Sequence, residues 1–482
     1  MTDPEFIIVG SGVGGLATAL RLSHRGKKVL VLEKTGSIGG RNRRLQVGKA
    51  DFDSGPTLLM MRAPFERVFQ DVGLKISDYL DMDLCDPSYR VFFQDGHRLD
   101  ATTNVARMLD QLAEFSPQDS KRYPRFLGEL ADLYHEAVPN FVERNFDNIL
   151  QFIAPKRLKI VLQRRMLGNL GSRIEKTFSH PRSRMLFSFQ TMYLGLSPFD
   201  APWVYAVLTY MEYGEGIWYP KGGVARLAEV LSELSQERGA EIRTHAEVSS
   251  VKGRTITLTS GETLTASKAV IMNADLPYAE RELIKPSKPV KRENSCSAFM
   301  LYLDYRDKVP ELLHHNVHFG ADFKANLDDI FNKVKMPKDP AFYVCASSLS
   351  DPERAAPGGM NIMILVPVPH LGHEFSEADK ESLTEHVFAR LEAETSFRRD
   401  KIAEMATYLP QDWQRDLNLD QGAAFGISHK FRQSAYFRPG NRSKVSKGTY
   451  FVGASTTPGN GLPMVLISAE LCEKRLLQDG LL

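Results

Sequence analysis

The chain has 482 residues, 43% of them hydrophobic and 25% charged, which is the composition of an ordinary globular protein. A net charge of +2 gives no reason to expect nucleic acid as a partner. The four cysteines form no CxxC pair and no zinc-ligand spacing, so we expect free thiols in the reducing cytoplasm. No stretch has the roughly 18 apolar residues of a membrane span, and the N-terminus lacks the basic region of a secretory signal.

The first predicted elements form a nucleotide-binding motif. Phe6–Val9 is a predicted strand, and a GxGxxG turn at residues 10–15 follows it ahead of an apolar helix. A second predicted strand, Val29–Leu32, is followed directly by Glu33. Glycines in this pattern let the backbone approach a pyrophosphate at a helix N-terminus, and the acid can accept hydrogen bonds from ribose hydroxyls. The order of these elements therefore predicts dinucleotide binding.

Two glycine-containing segments come next, GSIGGRNRR at 36–44 and FDSGPTLLMM at 52–61. Together they resemble the extended fingerprint of a flavoprotein superfamily that includes amine oxidases, carotenoid desaturases and Rab escort and dissociation-inhibitor proteins. In that superfamily the first arginine, here Arg41, lies along the FAD pyrophosphate, so the resemblance implies FAD rather than NAD. Arg43 and Arg44 are expected in a solvated basic loop.

The middle of the chain, from about 100 to 215, is predicted to be mostly helical. Its segment 151–174 has six basic residues, no acidic one, and interleaved apolar side chains. Such a segment can lie against an anionic membrane surface, or form a helix with one core face and one solvated face. The segment 189–227 is rich in aromatic residues, which are typical either of a core or of an apolar cavity.

Later strands are predicted to complete the first sheet. A hairpin at 254–266 and an apolar strand at 268–275 follow a helix and strand. Near the C-terminus, residues 449–470 predict a strand, a glycine-rich turn and a helix starting near Pro463. The adjacent His314 and His315 would point to opposite faces of a strand, so we predict no metal site there.

Motifs along nearly the whole chain resemble the carotenoid desaturase family, and most closely the dehydrosqualene desaturases. The most family-specific are the SCSAFMLYL segment at 295–303 and FVGASTTPGNGLPMVLISAE at 451–470. The resemblance implies an α/β fold with a discontinuous FAD-binding Rossmann-like domain, as in amine oxidases and glutathione reductase, and a substrate domain of mixed sheet and helices. Their bounds are predicted at 1–75, 220–280 and 440–482 for the FAD-binding domain, and at 76–219 and 281–439 for the substrate-binding and membrane-associating domain.

The resemblance also implies site residues. Glu212 is the candidate base or cation stabiliser, with an exposed or salt-bridged structural glutamate as the alternative. Relatives often carry a THPGAGIP-like motif where this chain has TTPGNGLP, which leaves no histidine at Thr457. The predicted FAD contacts are Gly10, Gly12, Val13, Gly14, Gly15, Glu33, Lys34, Gly40, Arg41, Gly55, Pro56, Thr57, Val248, Gly453, Gly461, Pro463 and Met464.

The activity implied is FAD-dependent desaturation of an acyclic, apolar carotenoid precursor such as dehydrosqualene or phytoene. Quinone or oxygen would reoxidise the flavin, and the protein would bind peripherally to the inner face of the cell membrane through residues 151–174. Two alternatives remain open at this stage. One is a carotenoid end-group oxygenase or isomerase of the same family, and the other is a non-enzymatic prenyl-binding escort protein.

Overall fold

The computed structural model of the chain describes residues 3–288 and 290–482. Its strands are β1 (Phe6–Val9), β2 (Val29–Leu32), β3 (Arg44–Val47), β4 (Ala50–Asp53), β5 (Met82–Cys85), β6 (Tyr89–Phe92), β7 (Arg98–Ala101), β8 (Ile217–Pro220), β9 (Glu241–Arg243), β10 (Val248–Lys252), β11 (Thr255–Leu258), β12 (Thr263–Thr265), β13 (Ala269–Met272), β14 (Ser297–Tyr305), β15 (His315–His318), β16 (Phe342–Cys345), β17 (Met360–Val368), β18 (Ile402–Tyr408) and β19 (Thr449–Phe451). Its helices are α1 (Val13–His24), α2 (Arg62–Gln70), α3 (Val105–Phe115), α4 (Pro117–Ala137), α5 (Ile149–Phe152), α6 (Pro155–Gln163), α7 (Leu170–Thr177), α8 (Pro181–Leu186), α9 (Val207–Tyr210), α10 (Arg226–Glu237), α11 (Leu276–Tyr278), α12 (Phe323–Phe331), α13 (Glu377–Glu394), α14 (Pro410–Leu417) and α15 (Leu462–Gln478).

A parallel sheet of five strands, in the order β19-β13-β1-β2-β9, takes its strands from three distant parts of the chain. Four of these strands are short apolar runs, and β1, β2 and β13 are buried along their whole length, as expected for a parallel sheet covered on both faces. The C-terminal strand pairs with β13 and therefore extends the sheet that the N-terminal strand begins. The predicted discontinuous Rossmann-like fold is confirmed.

Helices α1, α10 and α15 pack together over this sheet. The apolar side of α1 is fully buried, with Leu16 and Leu20 at 0% exposure. Burial of each such side chain contributes roughly 1.5–3 kcal/mol. The last helix of the chain thus lies directly against the first.

A second sheet of seven strands, in the order β18-β14-β17-β16-β15-β6-β7, supports the other half of the molecule. Its pairs are antiparallel except for β15 with β6. Helix α13 belongs to the core cluster of the long strands β14 and β17. The helices between β7 and β8 form a further core with many aromatic side chains. The predicted combination of mixed sheet and helices is confirmed. None of the described helices is both long and apolar enough to cross a membrane.

Gly15 holds α1 close to the β1 turn. A Cβ atom at this position would lie 2.3 Å from the carbonyl oxygen of Gly10, which is backbone and cannot rotate away. The third glycine of the motif is therefore required by the contact between helix and strand.

Replacing Gly15 with Ala is expected to lower the free energy of unfolding by about 1–3 kcal/mol, because α1 must move away from the sheet. Gly128→Ala is the matched control, since Gly128 lies in α4 with open space around its Cβ position. The control should be unchanged or stabilised by up to about 1 kcal/mol. Urea denaturation of both variants checks this, and equal stability of the two would contradict it.

Candidate active site

One large cavity runs between the two sheets, with a volume of about 1210 Å³. This exceeds the roughly 300–1,000 Å³ of ordinary ligand pockets. Its wall is not uniform: glycines and charged groups lie around the β1 turn, and most of the remaining lining residues are aliphatic or aromatic, with charged ones such as Arg292 and Arg438 among them. The cavity therefore has room for a polar cofactor and an apolar substrate together.

The turn between β1 and α1 forms one part of the wall. Gly10 has a positive φ of 98°, and α1 begins after Gly12 without a capping side chain. Its first N–H groups are therefore free to bind an anion. Cβ atoms at Gly12 and Gly14 would each lie 2.7 Å from the side-chain amide of Asn273. The two glycines are needed because this amide fills the space beside the turn.

Glu33 lies at the carboxyl end of β2, in the cavity wall. Its carboxylate accepts hydrogen bonds from the backbone N–H of Ser11 at 2.9 Å and of Thr35 at 2.9 Å, and from the Ser11 hydroxyl at 2.7 Å. These donors fix the carboxylate at the position that a ribose-binding acid requires. The neighbouring Lys34 donates to the side-chain oxygen of Asn418 at 2.9 Å.

Arg41 supplies a positive charge in the same wall. One of its Nη atoms donates to the carbonyl of Ala424 at 2.8 Å, and desolvation lowers the pKa of the guanidinium. Asp275, which follows β13, lies close enough to favour the charged arginine and accepts a hydrogen bond from Ser455 at 2.7 Å. A partly desolvated cation beside a helix N-terminus suits a pyrophosphate.

The C-terminal turn also lines the cavity, as do Gly55, Pro56 and Thr57. Gly453 and Gly461 have positive φ values of 117° and 97°. Helix α15 begins after Gly461 without a capping side chain, with Pro463 in its first turn. Its N-terminal end therefore directs unpaired N–H groups and a partial positive charge toward the cavity.

The structure brings nearly all predicted cofactor residues to this one cavity, and their contact with the cofactor remains a prediction. Gly15 does not line it, because it packs against the carbonyl of Gly10. The predicted residues that line it are Gly10, Gly12, Val13, Gly14, Glu33, Lys34, Gly40, Arg41, Gly55, Pro56, Thr57, Val248, Gly453, Gly461, Pro463 and Met464.

Glu212 lies behind the cavity wall, in a π-helical turn over Met211–Glu215. It is 1% exposed, and its Oε2 accepts hydrogen bonds from Tyr89 at 3.0 Å and Gln190 at 2.9 Å. Burial raises the pKa of this carboxyl to about 7, and the phenol of Tyr193, which lines the cavity, also interacts with it. The alternative for Glu212, an exposed or salt-bridged structural glutamate, is therefore wrong, because the groups around the carboxylate are neutral and buried.

The aromatic segment divides between core and cavity. Trp203, Tyr213 and Tyr219 are buried and absent from the cavity wall, whereas Phe189, Tyr193 and Tyr205 line it. Each of the two interpretations of this segment therefore holds for part of it.

The outer end of the cavity is bordered by large apolar side chains that are exposed to solvent. We call this set the apolar rim. Phe152 and Tyr436, with ring centroids 5.8 Å apart, connect the rim residues of segment 149–167 with those of segment 431–437. Its members are Ile149, Ile153, Leu158, Leu167, Val290, Phe431 and Phe437.

Three cavity residues were missed by the sequence analysis. Asn273 and Asp275 follow β13, and the carboxyl end of a parallel strand is a general signal for ligand-binding positions. His429 is buried in the wall, its ring nitrogens make no well-formed hydrogen bond, and a Cβ on Gly459 would lie 2.8 Å from its Nε2. No local motif marks His429, because it comes from an irregular segment.

The prediction for the histidine pair is wrong in its geometry. His314 precedes β15 instead of belonging to it, so the two rings do not alternate across the sheet. Their centroids are 4.2 Å apart, and Cys85 lies beside them.

The described residues fit FAD by their own geometry. The wall offers two uncapped helix N-termini, an acid at the end of β2 and a partly desolvated arginine, within one cavity that glycines keep open. These are the groups that a dinucleotide with a buried pyrophosphate requires.

Comparison with known proteins agrees with the assignment of an FAD site. The chain matches the family described as flavin-containing amine oxidoreductase over residues 13–472. It is 40% identical to the zeta-carotene-forming phytoene desaturase of Myxococcus xanthus, over 98% of this chain and 94% of that protein. It is 32% identical to the 4,4'-diapophytoene desaturase (4,4'-diaponeurosporene-forming) of Staphylococcus haemolyticus, over 98% of each chain.

Solved structures show the same fold at low sequence identity. Cyclohexylamine oxidase from Brevibacterium oxydans has a TM-score of 0.61 at 14% identity, over 99% of this chain and 100% of that one. Rab GDI from Plasmodium falciparum has a TM-score of 0.54 at 12% identity, over 99% of this chain and 98% of that one. The chain belongs to the flavin-containing amine oxidoreductase family and, within it, to the carotenoid desaturases, and its cofactor is FAD.

Proposed function

We propose that the protein introduces conjugated double bonds into an acyclic, apolar carotenoid precursor such as phytoene or dehydrosqualene. The observation that carries this proposal is the single cavity that joins a dinucleotide cradle to an apolar channel ending at the apolar rim. A hydrocarbon offers no hydrogen-bonding groups, so burial of apolar area must supply its binding. The curated relatives include desaturases of both kinds of precursor, so their names leave the chain length of the substrate open.

The chain's own residues have distinct tasks in this proposal. Bound FAD supplies the hydride acceptor for an allylic carbon. Phe189, Tyr193 and Phe319 enclose the hydrocarbon, exclude water and present aromatic faces that stabilise positive charge on it. The N-terminal end of α15 favours negative charge on the cofactor side of the cavity.

Glu212 is proposed to accept the proton that leaves the substrate. Its pKa of about 7 lets the carboxyl gain and lose a proton near neutral pH. Because it does not line the cavity, it acts through the phenol of Tyr193, which does. Its Oε1 is buried without a well-formed hydrogen bond and is therefore the oxygen free to take up the proton.

We also propose that residues 1–75, 220–280 and 440–482 form the FAD-binding domain, and that 76–219 and 281–439 bind substrate. In support, the parallel sheet draws β1, β2, β9, β13 and β19 from the first set alone. The seven-stranded sheet and the apolar rim come from the second set.

The apolar rim is proposed to bind a membrane surface from which the substrate enters. Beside the rim, Leu150 and Leu162 are 72% and 67% exposed, which is unusual for leucines on neighbouring helices of a globular protein. On α6, Lys156 and Lys159 are exposed, and within the described part of the chain neither has an acidic partner. Arg164, in contrast, pairs with Asp132 and Glu136. Exposed leucines with unpaired lysines suit an anionic lipid surface.

The activity is tested by expressing the full chain in hosts that accumulate phytoene or dehydrosqualene. We expect coloured products with absorption at longer wavelength than the precursor. The matched negative control is Gly12→Val, whose side chain would collide with Asn273 in the cofactor cradle. No conjugated product from either precursor would contradict the proposal, and an oxygenated or merely isomerised product would indicate the alternative activities.

Replacing Glu212 with Gln is expected to slow flavin reduction in a single turnover by about 100-fold or more. The wild-type rate should rise between about pH 6 and 8, as the carboxyl loses its proton, and the rate of the variant should be flat. Glu215→Gln is the control, because Glu215 lies in the same turn but bonds Tyr134, away from the cavity. Equal rates for wild type and Glu212→Gln would exclude the role.

The Glu212→Gln variant should also differ from the wild type in how its free energy of unfolding depends on pH. Burial raises the folded-state pKa from 4.5 to about 7, so the native state favours the protonated acid. The associated stability is complete below about pH 4.5 and is lost as the pH rises to about 7. At 1.36 kcal/mol per pH unit, this is on the order of 3 kcal/mol. Urea denaturation should therefore show the wild type losing stability relative to the variant over that range.

The membrane proposal is tested by sedimentation with vesicles of phosphatidylcholine, with and without phosphatidylglycerol. We expect stronger binding to the anionic vesicles, and at least about tenfold weaker binding for Leu150→Ser with Leu162→Ser, which together remove apolar contact area. Neither leucine lines the cavity, so turnover of detergent-dispersed substrate should be retained. Leu349→Ser, at an exposed leucine that does not line the cavity, is the control, and a double variant that binds as well as this control would contradict the proposal.

A further inference from the structure

Three side chains that the proposed chemistry does not use converge beside the cavity. Cys85 ends β5, His315 begins β15, and His314 directly precedes that strand. One ligand atom from each lies within 4.8 Å of the others, and Cys85 Sγ is 3.8 Å from His315 Nε2. Sulfur and nitrogen ligands on one tetrahedral zinc ion, at bond lengths of about 2.3 and 2.0 Å, lie about 3.5 Å apart. The observed separation is close to that value.

The other nitrogen of each imidazole is held by a hydroxyl group. His314 Nδ1 is 2.7 Å from Ser350 Oγ, and His315 Nδ1 is 2.6 Å from the phenol oxygen of Tyr343. When Nδ1–H donates to these oxygens, Nε2 carries the free lone pair. His314 Nε2 is buried and has no hydrogen-bond partner among the described residues. A buried imidazole nitrogen without a partner is costly unless a ligand occupies it.

The surroundings are compatible with a cation. Both imidazoles are buried, His314 at 7% and His315 at 0% exposure. The nearby guanidinium of Arg354 is neutralised by Asp53 at 2.7 Å and Asp51 at 3.1 Å. Cys85 is only partly buried.

We propose that Cys85, His314 and His315 bind one zinc-class divalent cation, with its fourth position open. The Cys85 thiol loses its proton to solvent when the metal–sulfur bond forms, and no electron is transferred. The ion would join β5 to β15. It would also fix His315 and, through it, Tyr343, whose phenol contacts Thr57 in the cavity wall at 2.7 Å. The metal site is thus a positioning device beside the cofactor cavity.

The test uses the full-length, FAD-loaded protein, stripped with a chelator and then titrated with Zn²⁺ or Co²⁺ alone. We expect one equivalent of Zn²⁺ to be retained after desalting, and a thiolate-to-cobalt absorption band with Co²⁺. Cys85→Ser should abolish this band and weaken binding by at least about tenfold, measured by competition with a chromophoric chelator. His315→Gln should weaken binding to a similar degree.

Two controls make the result specific. Cys472→Ser changes a buried cysteine in α15, and His318→Gln changes a histidine of the same strand, β15, that bonds Glu394. Both should retain one equivalent. If His315→Gln fails to fold, the partly exposed Cys85 decides the question through its own variant. Retention of no Zn²⁺ by the wild type, or equal affinity in Cys85→Ser, would overturn the proposal and mark the cluster as hydrogen-bonded packing only.

Discussion

The packing of glycines around one asparagine is the constraint on which the rest of the site depends. Asn273 follows β13, and its backbone N–H donates to the carbonyl of Val9 at 2.8 Å, which fixes it beside the β1 turn. Its side-chain amide occupies the space where Cβ atoms of Gly12, Gly14 or Gly453 would be. Those glycines come from opposite ends of the chain, so one amide determines how closely the two ends approach. The cavity wall forms only when β1, β13 and β19 are paired.

This arrangement separates two kinds of chemistry within one cavity. Charged and backbone groups cluster at the carboxyl ends of β1, β2 and β13, where a dinucleotide binds. Beyond them, the wall includes side chains from the second sheet and the helices before β8, most of which are aliphatic or aromatic. In the proposed function, a cofactor held by the first group presents its reactive end to a substrate held by the second.

The sequence predicted those parts of the structure that local patterns encode. Strands β1 and β2 have the predicted bounds, and the C-terminal strand joins the first sheet by pairing with β13, as its apolar run predicted. It did not predict the burial of Glu212, since the phenol and amide around it come from residues 123 and 22 positions away. The histidine pair was misjudged because strand alternation was applied to a residue that precedes the strand. Long-range contacts carry no local signal.

The chain length of the substrate cannot be deduced from the motifs, and the apolar character of the cavity and its rim gives the reason. A hydrocarbon has no polar end for the protein to recognise, so selection rests on the length and shape of the space that encloses it. That space is bounded by side chains from α5 and α6 on one side and residues 431–437 on the other, joined by the contact of Phe152 with Tyr436. Burial of each extra methylene of substrate contributes about 1 kcal/mol of binding free energy. This is too little for a contact with one residue to select between substrates of different chain length. Under the proposed function, specificity therefore belongs to the combined surface of the channel and not to any one residue.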